Sequence, residues 1–115
     1  MSTGGLAGSV LAWSEKELQE QVLGAAKALG WTLRYHVFDS RRSEPGFPDL
    51  VLGHPERGLL LFRELKTEKG RTTAEQDRWI IGLGLTGNDA GVWRPRDWVS
   101  RRIHTELTGR QVRGA

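Results

Sequence analysis

Two apolar runs separated by a four-residue break, "DLVLGH" and "LLLFRELK", occupy the middle of the chain and give its clearest element signal. Continuous apolar runs of this length, bounded by turn residues, read as strands buried in a sheet, with "PERG" (residues 55–58) as the turn of a hairpin. On either side the period changes. Upstream, Leu18, Val22, Ala25, Ala26 and Leu29 recur at helical spacing and predict a helix from about Glu15 to Leu29. Ser14 with Glu17 three residues later is the capping-box pattern that opens such a helix, and Gly30 closes it. "WTLRYHV" (31–37), aromatic and β-branched, predicts a strand, and "FDSRRSEPGF" (38–47) a loop. Downstream, "TEKGRTT" is a polar loop, and "TAEQDRWIIGLGL" resumes helical spacing through Trp79, Ile80 and Leu83 behind Thr72 or Thr73 as N-cap. "AGVWR" predicts a further strand and "PRDWVSRRIHTEL" a closing helix with Pro95 near its start.

The resulting order, αβββαβα, places an early hairpin before a strand–helix–strand unit. That combination predicts an α/β fold with a mixed central sheet flanked by helices on both faces. Residues 14–108 form the predicted domain, "MSTGGLAGSVLAW" (1–13) a flexible N-terminal segment, and 109–115 a disordered basic tail.

With 115 residues, one hydrophobic core must serve the whole chain. The chain has no cysteine, so thiolate metal sites, disulfides and cysteine nucleophiles are excluded, and any metal must sit on oxygen or nitrogen. No stretch is apolar enough for a signal peptide or a membrane span; the expectation is a soluble cytoplasmic protein. The net charge of +3 is arginine-rich, with Arg41, Arg42, Arg94, Arg96, Arg101 and Arg102 among its carriers, which suits a polyanion such as DNA.

The charged residues inside the apolar runs carry the chemistry. Strand side chains alternate, so Glu64 and Lys66 share a face while Leu65 points the other way. If Asp49 enters its strand beside the end of this one, two carboxylates converge and can hold a hard divalent cation through oxygen ligands. Lys66 beside them can orient an attacking water or offset charge in hydrolysis of a phosphodiester. A Glu-x-Lys triplet alone says little, but this one ends an apolar strand whose partner begins with Pro-Asp. Arg63, standing where a central strand usually carries an apolar residue, implies either a partly open face or a guanidinium paired with an acid. Trp79, Trp93 and Trp98 sit in apolar patterns and are expected in the core.

"GFPDLVL", "FRELKTEKGRTTAEQDRW" and "GVWRPRDW" together resemble the VRR-Nuc branch of the PD-(D/E)XK nuclease superfamily, especially its compact stand-alone phage and bacterial members. The resemblance spans about residues 14 to 100, and its most specific part is the ordered set Gly46-x-Pro48-Asp49, Glu64-x-Lys66 and Gln76. It implies a restriction-endonuclease-like core in which Asp49 and Glu64 bind the metal, the carbonyl of Leu65 is a further ligand, Lys66 is the catalytic lysine, and Gln76 contacts a water or phosphate. Gln76 is equally the last residue of a capping box, Thr73-Ala-Glu-Gln. The family also carries an acid on its first helix. Among Glu15, Glu17 and Glu20, at about 100° per residue, only Glu15 projects near the line of Leu18 and Val22 and so toward the sheet and the metal, with Gln19 one turn on at the edge of that face.

The reading is therefore a Mg²⁺- or Mn²⁺-dependent DNA endonuclease. The resemblance implies selectivity for branched substrates, flaps or Holliday-type junctions, and a homodimer would suit two-strand cutting. His36, Arg41, Arg42, Lys69, Arg71 and Gln19 are the candidate DNA contacts. The alternatives are a non-catalytic DNA-binding or assembly module with the same fold, and a sequence-specific restriction-type nuclease.

Overall fold

The computed structural model describes residues 4–37 and 40–109. Its elements in chain order are α1 (Gly4–Leu11), α2 (Glu15–Ala28), β1 (Leu33–His36), β2 (Leu50–His54), β3 (Leu59–Leu65), α3 (Ala74–Leu85), β4 (Asp89–Trp93), α4 (Pro95–Val99) and α5 (Arg102–Thr108), with short 3₁₀ turns at Ser40–Arg42 and Pro55–Arg57. The four strands lie in the order β1-β2-β3-β4. β1 and β3 both run antiparallel to β2, and β4 runs parallel to β3 with α3 as the crossover, which is the mixed sheet the hairpin and strand–helix–strand pattern predict.

The core lies on one face of the sheet. Leu50, Leu52, Leu61, Leu65 and Trp93 from the strands meet Leu18, Val22 and Ala26 of α2 and Ile103 and Leu107 of α5, all buried. Each such aliphatic side chain contributes about 1.5–3 kcal/mol on burial. Trp31 is wholly buried just before β1, where its indole N–H donates to the Leu107 carbonyl at 2.8 Å and ties the start of the sheet to the end of α5. On the opposite face, Phe62 meets Phe47, which packs edge-on against Trp79 of α3 at 5.2 Å between ring centres. Trp79 is thus half-buried under α3 and not part of the main core; Trp93 is in the core, and Trp98 packs against its margin.

Two further expectations change, and of the two readings open for Arg63 one holds. The segment read as flexible forms α1 over Gly4–Leu11, which packs on α4, and Trp13 just after it meets Trp98 edge-on at 5.6 Å. The closing helix is two helices: Arg101 takes a left-handed conformation (φ 69°), which an α-helix cannot pass through, and its successor Arg102 turns back to pair with Asp97 and Glu106. Arg63 is paired with acids, and the strand is buried around it. Its Nη2 lies 2.8 Å from both Asp89 Oδ1 and Glu106 Oε1, its Nη1 donates to the Phe62 and Asp89 carbonyls, and its guanidinium sits 4.9 Å from the Trp93 ring centre. The tail expected to be disordered lies, apart from the helix-capping Gly109, outside the described residues, as does the start of the N-terminal segment at residues 1–3.

Candidate active site

The β2–β3 hairpin brings the acids together. Leu50 pairs with Arg63, so Asp49, one residue before β2, falls level with Glu64. The Leu65 amide donates to Asp49 Oδ2 at 2.9 Å, fixing that carboxylate against the neighbouring strand. The loop leading to Asp49 is seated by Gly46 (φ 87°): a Cβ there would lie 2.4 Å from the Glu75 backbone carbon at the start of α3, so only glycine permits both this conformation and this approach. Pro48 is fully buried beside it.

Glu64 is 2 % exposed near the end of β3. One of its oxygens, Oε2, accepts from Gln76 Nε2 at 3.0 Å and lies 3.8 Å from Lys66 Nζ; the other, Oε1, is buried with no hydrogen-bond partner. Burial, then the charge of Asp49 beside it, pushes the Glu64 carboxyl up to about 8; Lys66 opposes the shift and Glu15 adds to it. Glu15, at the first turn of α2, is exposed over part of its side chain yet belongs to the same electrostatic unit. Partial desolvation raises its pKa, Lys66 lowers it and Asp49 raises it. Glu15, which helical phase selects from three glutamates, thus lies within electrostatic reach of Lys66 and Asp49.

Gln76 completes the capping box considered for it and, in a contact the sequence did not suggest, bonds Glu64. Its Oε1 accepts from the Thr73 amide at 2.9 Å while Thr73 Oγ1 accepts from the Gln76 amide at 3.1 Å, which completes the capping box, and its Nε2 remains available to hold Glu64. One side chain starts α3 and orients a carboxylate.

These residues fit a hard divalent cation. Two carboxylates converge, one of them carries a buried oxygen that no donor of the protein reaches, and burial first, then the charge of Asp49, drives Glu64 toward its neutral form, a cost that a cation between them would relieve. Among the described residues no group of three or more His, Asp or Glu side chains stands at metal-holding spacing. A cation here would draw on Asp49 and Glu64 as side-chain donors, with the Leu65 carbonyl and solvent to complete a shell and Glu15 beside it.

The candidate DNA contacts spread outward from this centre. Gln19 Nε2 and His36 Nδ1 are 3.5 Å apart, joining α2 to the edge strand β1. Arg41 and Arg42 lie exposed on the 3₁₀ turn between β1 and β2, and Lys69 and Arg71 are exposed in the loop between β3 and α3. Several arginines counted toward a basic surface are engaged by the chain itself. Arg94 Nη1 bonds carbonyls of the loop after Lys66, Arg96 bonds Glu68, and Arg102 bonds Glu106 and Asp97. Sequence reasoning missed that Arg94 and Arg96 hold the loop after Lys66, and only the "WRPR" at the end of β4 hinted at it.

The raised pKa of Glu64 has a measurable consequence in the metal-free protein. Because the folded-state value exceeds the ordinary 4.5, protonated Glu64 contributes stability that is complete below about pH 4.5 and is lost as pH rises through about 8. Urea unfolding midpoints of wild type and Glu64→Gln should therefore diverge between pH 5 and 8.5, wild type falling behind as the pH climbs. Parallel midpoints across that range would show that Glu64 is not strained by its neighbours. Affinity for a divalent cation, which displaces the proton, should rise over the same interval.

A family model described as the VRR-NUC domain matches residues 3–97. Among solved structures, one named "VRR_NUC domain protein" superposes with a TM-score of 0.58 at 20 % identity, covering 84 % of this chain and 91 % of that one, a likeness of fold. No curated protein matches the chain. Among the described residues, no helix is long and apolar enough to cross a membrane.

Proposed function

Since the chain belongs to the VRR-NUC domain family, a nuclease-type family, we propose that it is a Mg²⁺- or Mn²⁺-dependent endonuclease hydrolysing phosphodiester bonds in DNA at the Asp49–Glu64 pair. The observation that carries this reading is the convergence of Asp49 and Glu64, with Lys66 Nζ 3.8 Å from Glu64 and a buried Glu64 oxygen that no donor of the protein reaches. Asp49 and Glu64, with the Leu65 carbonyl, hold the cation, which when bound polarises a phosphoryl oxygen and acidifies water. The protein does the rest by positioning. The Leu65 amide fixes Asp49, Gln76 fixes Glu64, and Lys66 donates to the attacking water or to the oxygens gaining charge in the transition state. Glu15, sensing both Lys66 and Asp49, assists at the edge of the site.

The preferred substrate is branched DNA of the flap or four-way-junction type, gripped on its backbone by Arg41, Arg42, His36, Gln19, Lys69 and Arg71, with a homodimer supplying a second site for the second strand. The test is cleavage of flap, four-way junction, linear duplex and RNA substrates with Mg²⁺ and with Mn²⁺, wild type against Asp49→Asn. Cutting of branched DNA by wild type alone is the expected result. Equal inertness of both proteins on every substrate would leave a non-catalytic binding module, and fixed-sequence cutting of unbranched duplex would replace branch selectivity with a restriction-type activity.

A further inference from the structure

We infer that Arg94 is a positioning residue for Lys66, acting through the loop that joins Lys66 to α3; the inference rests on the nuclease reading above. β3 and β4 end side by side, with Leu65 paired to Trp93 and the Lys66 amide donating to the Trp93 carbonyl at 3.1 Å. Arg94, the first residue past β4, therefore stands beside the first residues past Lys66. Its Nη1 donates to the carbonyls of Thr67 at 2.8 Å and Gly70 at 2.6 Å, with the Glu68 carbonyl at 3.4 Å. A guanidinium amid several carbonyls is a charge-assisted clamp, stronger than neutral hydrogen bonds of the same number. Arg96 adds a second hold on the same loop: its amide and Nε bond the two Glu68 carboxylate oxygens at 3.0 and 2.8 Å, and its Nη2 bonds the Glu68 carbonyl at 3.0 Å.

What the clamp achieves is visible at Gly70. A Cβ added there would lie 2.8 Å from Thr67 Oγ1 and 3.6 Å from Lys66 Cδ, so the clamped loop is folded against the stem of Lys66. A lysine stem has four freely rotating bonds, and an ammonium must be held to act at one place. The loop restricts that stem, and Nζ stays on the Glu64 side at 3.8 Å. Arg94 Nη1 is committed to the loop carbonyls, so its influence on the chemistry passes through Lys66.

A double-mutant cycle tests this. Arg94→Met and Arg94→Lys are made in the wild type and in Lys66→Met, and cleavage of a fixed DNA substrate is measured at saturation with thermal melting as a check on folding. Arg94→Met should lower kcat by about 10- to 100-fold with KM within about threefold, Arg94→Lys should recover most of the loss, and in Lys66→Met the same replacement should change kcat by less than about twofold. A second readout needs no cleavage: competitive labelling with acetic anhydride, read by peptide mass spectrometry, should show Lys66 more reactive in Arg94→Met while Lys16 and Lys27 are unchanged. Should Arg94→Met fail to fold, Arg94→Gln, which keeps a donor, carries the same cycle. Equal losses in both backgrounds, or unchanged labelling of Lys66, overturn the inference. A wild type that labels as expected yet cuts nothing overturns the nuclease reading and leaves the positioning of Lys66 standing.

Discussion

Lys66→Met should lower kcat for DNA cleavage by about a thousandfold, the scale of losing one preorganised donor at a developing negative charge, while the dissociation constant for substrate stays within about threefold. The side chain is 11 % exposed, follows the end of β3 and faces Glu64, so its ammonium is held at the proposed reacting centre and contributes little to gripping DNA at a distance. The same substitution shifts the pH profile. Lys66 now pulls the Glu64 pKa down, so its removal raises that pKa further, and the pH at which Glu64 is free to bind a cation moves upward. Residual activity should therefore rise at a more alkaline pH than in wild type, without recovering the lost thousandfold. A loss smaller than tenfold, or one confined to KM, would remove Lys66 from the chemistry and assign it to binding.

The largest effect on stability is expected at Arg63. This buried guanidinium bonds two carboxylates and two carbonyls, and Glu106 is further tied to the Trp93 indole N–H at 2.9 Å. Burial alone would raise the Glu106 pKa, but Arg63 and the hydrogen bonds from Arg63, Arg102 and Trp93 hold it below the ordinary range. Asp89 is half exposed and can be solvated, but removing Arg63 takes from the largely buried Glu106 its main partner, at a cost of about 3–5 kcal/mol. Against a net stability of roughly 5–15 kcal/mol for a domain, that is a large share. Arg63→Met should therefore lower Tm by more than about 10 °C. The double variant Arg63→Met with Glu106→Leu should regain much of the loss, because it removes the stranded charge together with its partner. If the double variant is no better than the single one, packing around Arg63 matters and the charge does not.

Both positions show what the sequence could and could not disclose. The hairpin was legible because its apolar runs and its turn are local, and the acids because they interrupt those runs where nothing apolar explains them. Glu15 was legible because a helix repeats every 3.6 residues and its phase is set by Leu18 and Val22. The partners of Arg63 were not, since Asp89 and Glu106 come from distant parts of the chain and only the fold brings them to one guanidinium. For the same reason a count of arginines overstated the basic surface: Arg94, Arg96 and Arg102 are engaged with carbonyls and acids of their own chain. α1 was missed because "GGLAGSVL" is rich in glycine, a poor helix former, and its place in the structure comes with a contact to α4. The closing helix was broken in two by a single left-handed residue, Arg101, of a type that carries no local signal for such a turn.

Gln76 shows why an amide stands where many helices carry an acid. A glutamate at this third helical position would complete the capping box with Thr73 equally well, and would add a negative charge near the positive end of α3. It would also aim a carboxylate at the carboxylate of Glu64, already pressed toward its neutral form by Asp49. Glutamine keeps the helix start and replaces repulsion with a donor. The first turn of α3 and the orientation of a buried acid thus share one hinge pin, and fraying at that turn would release the acid before any strand of the sheet had moved.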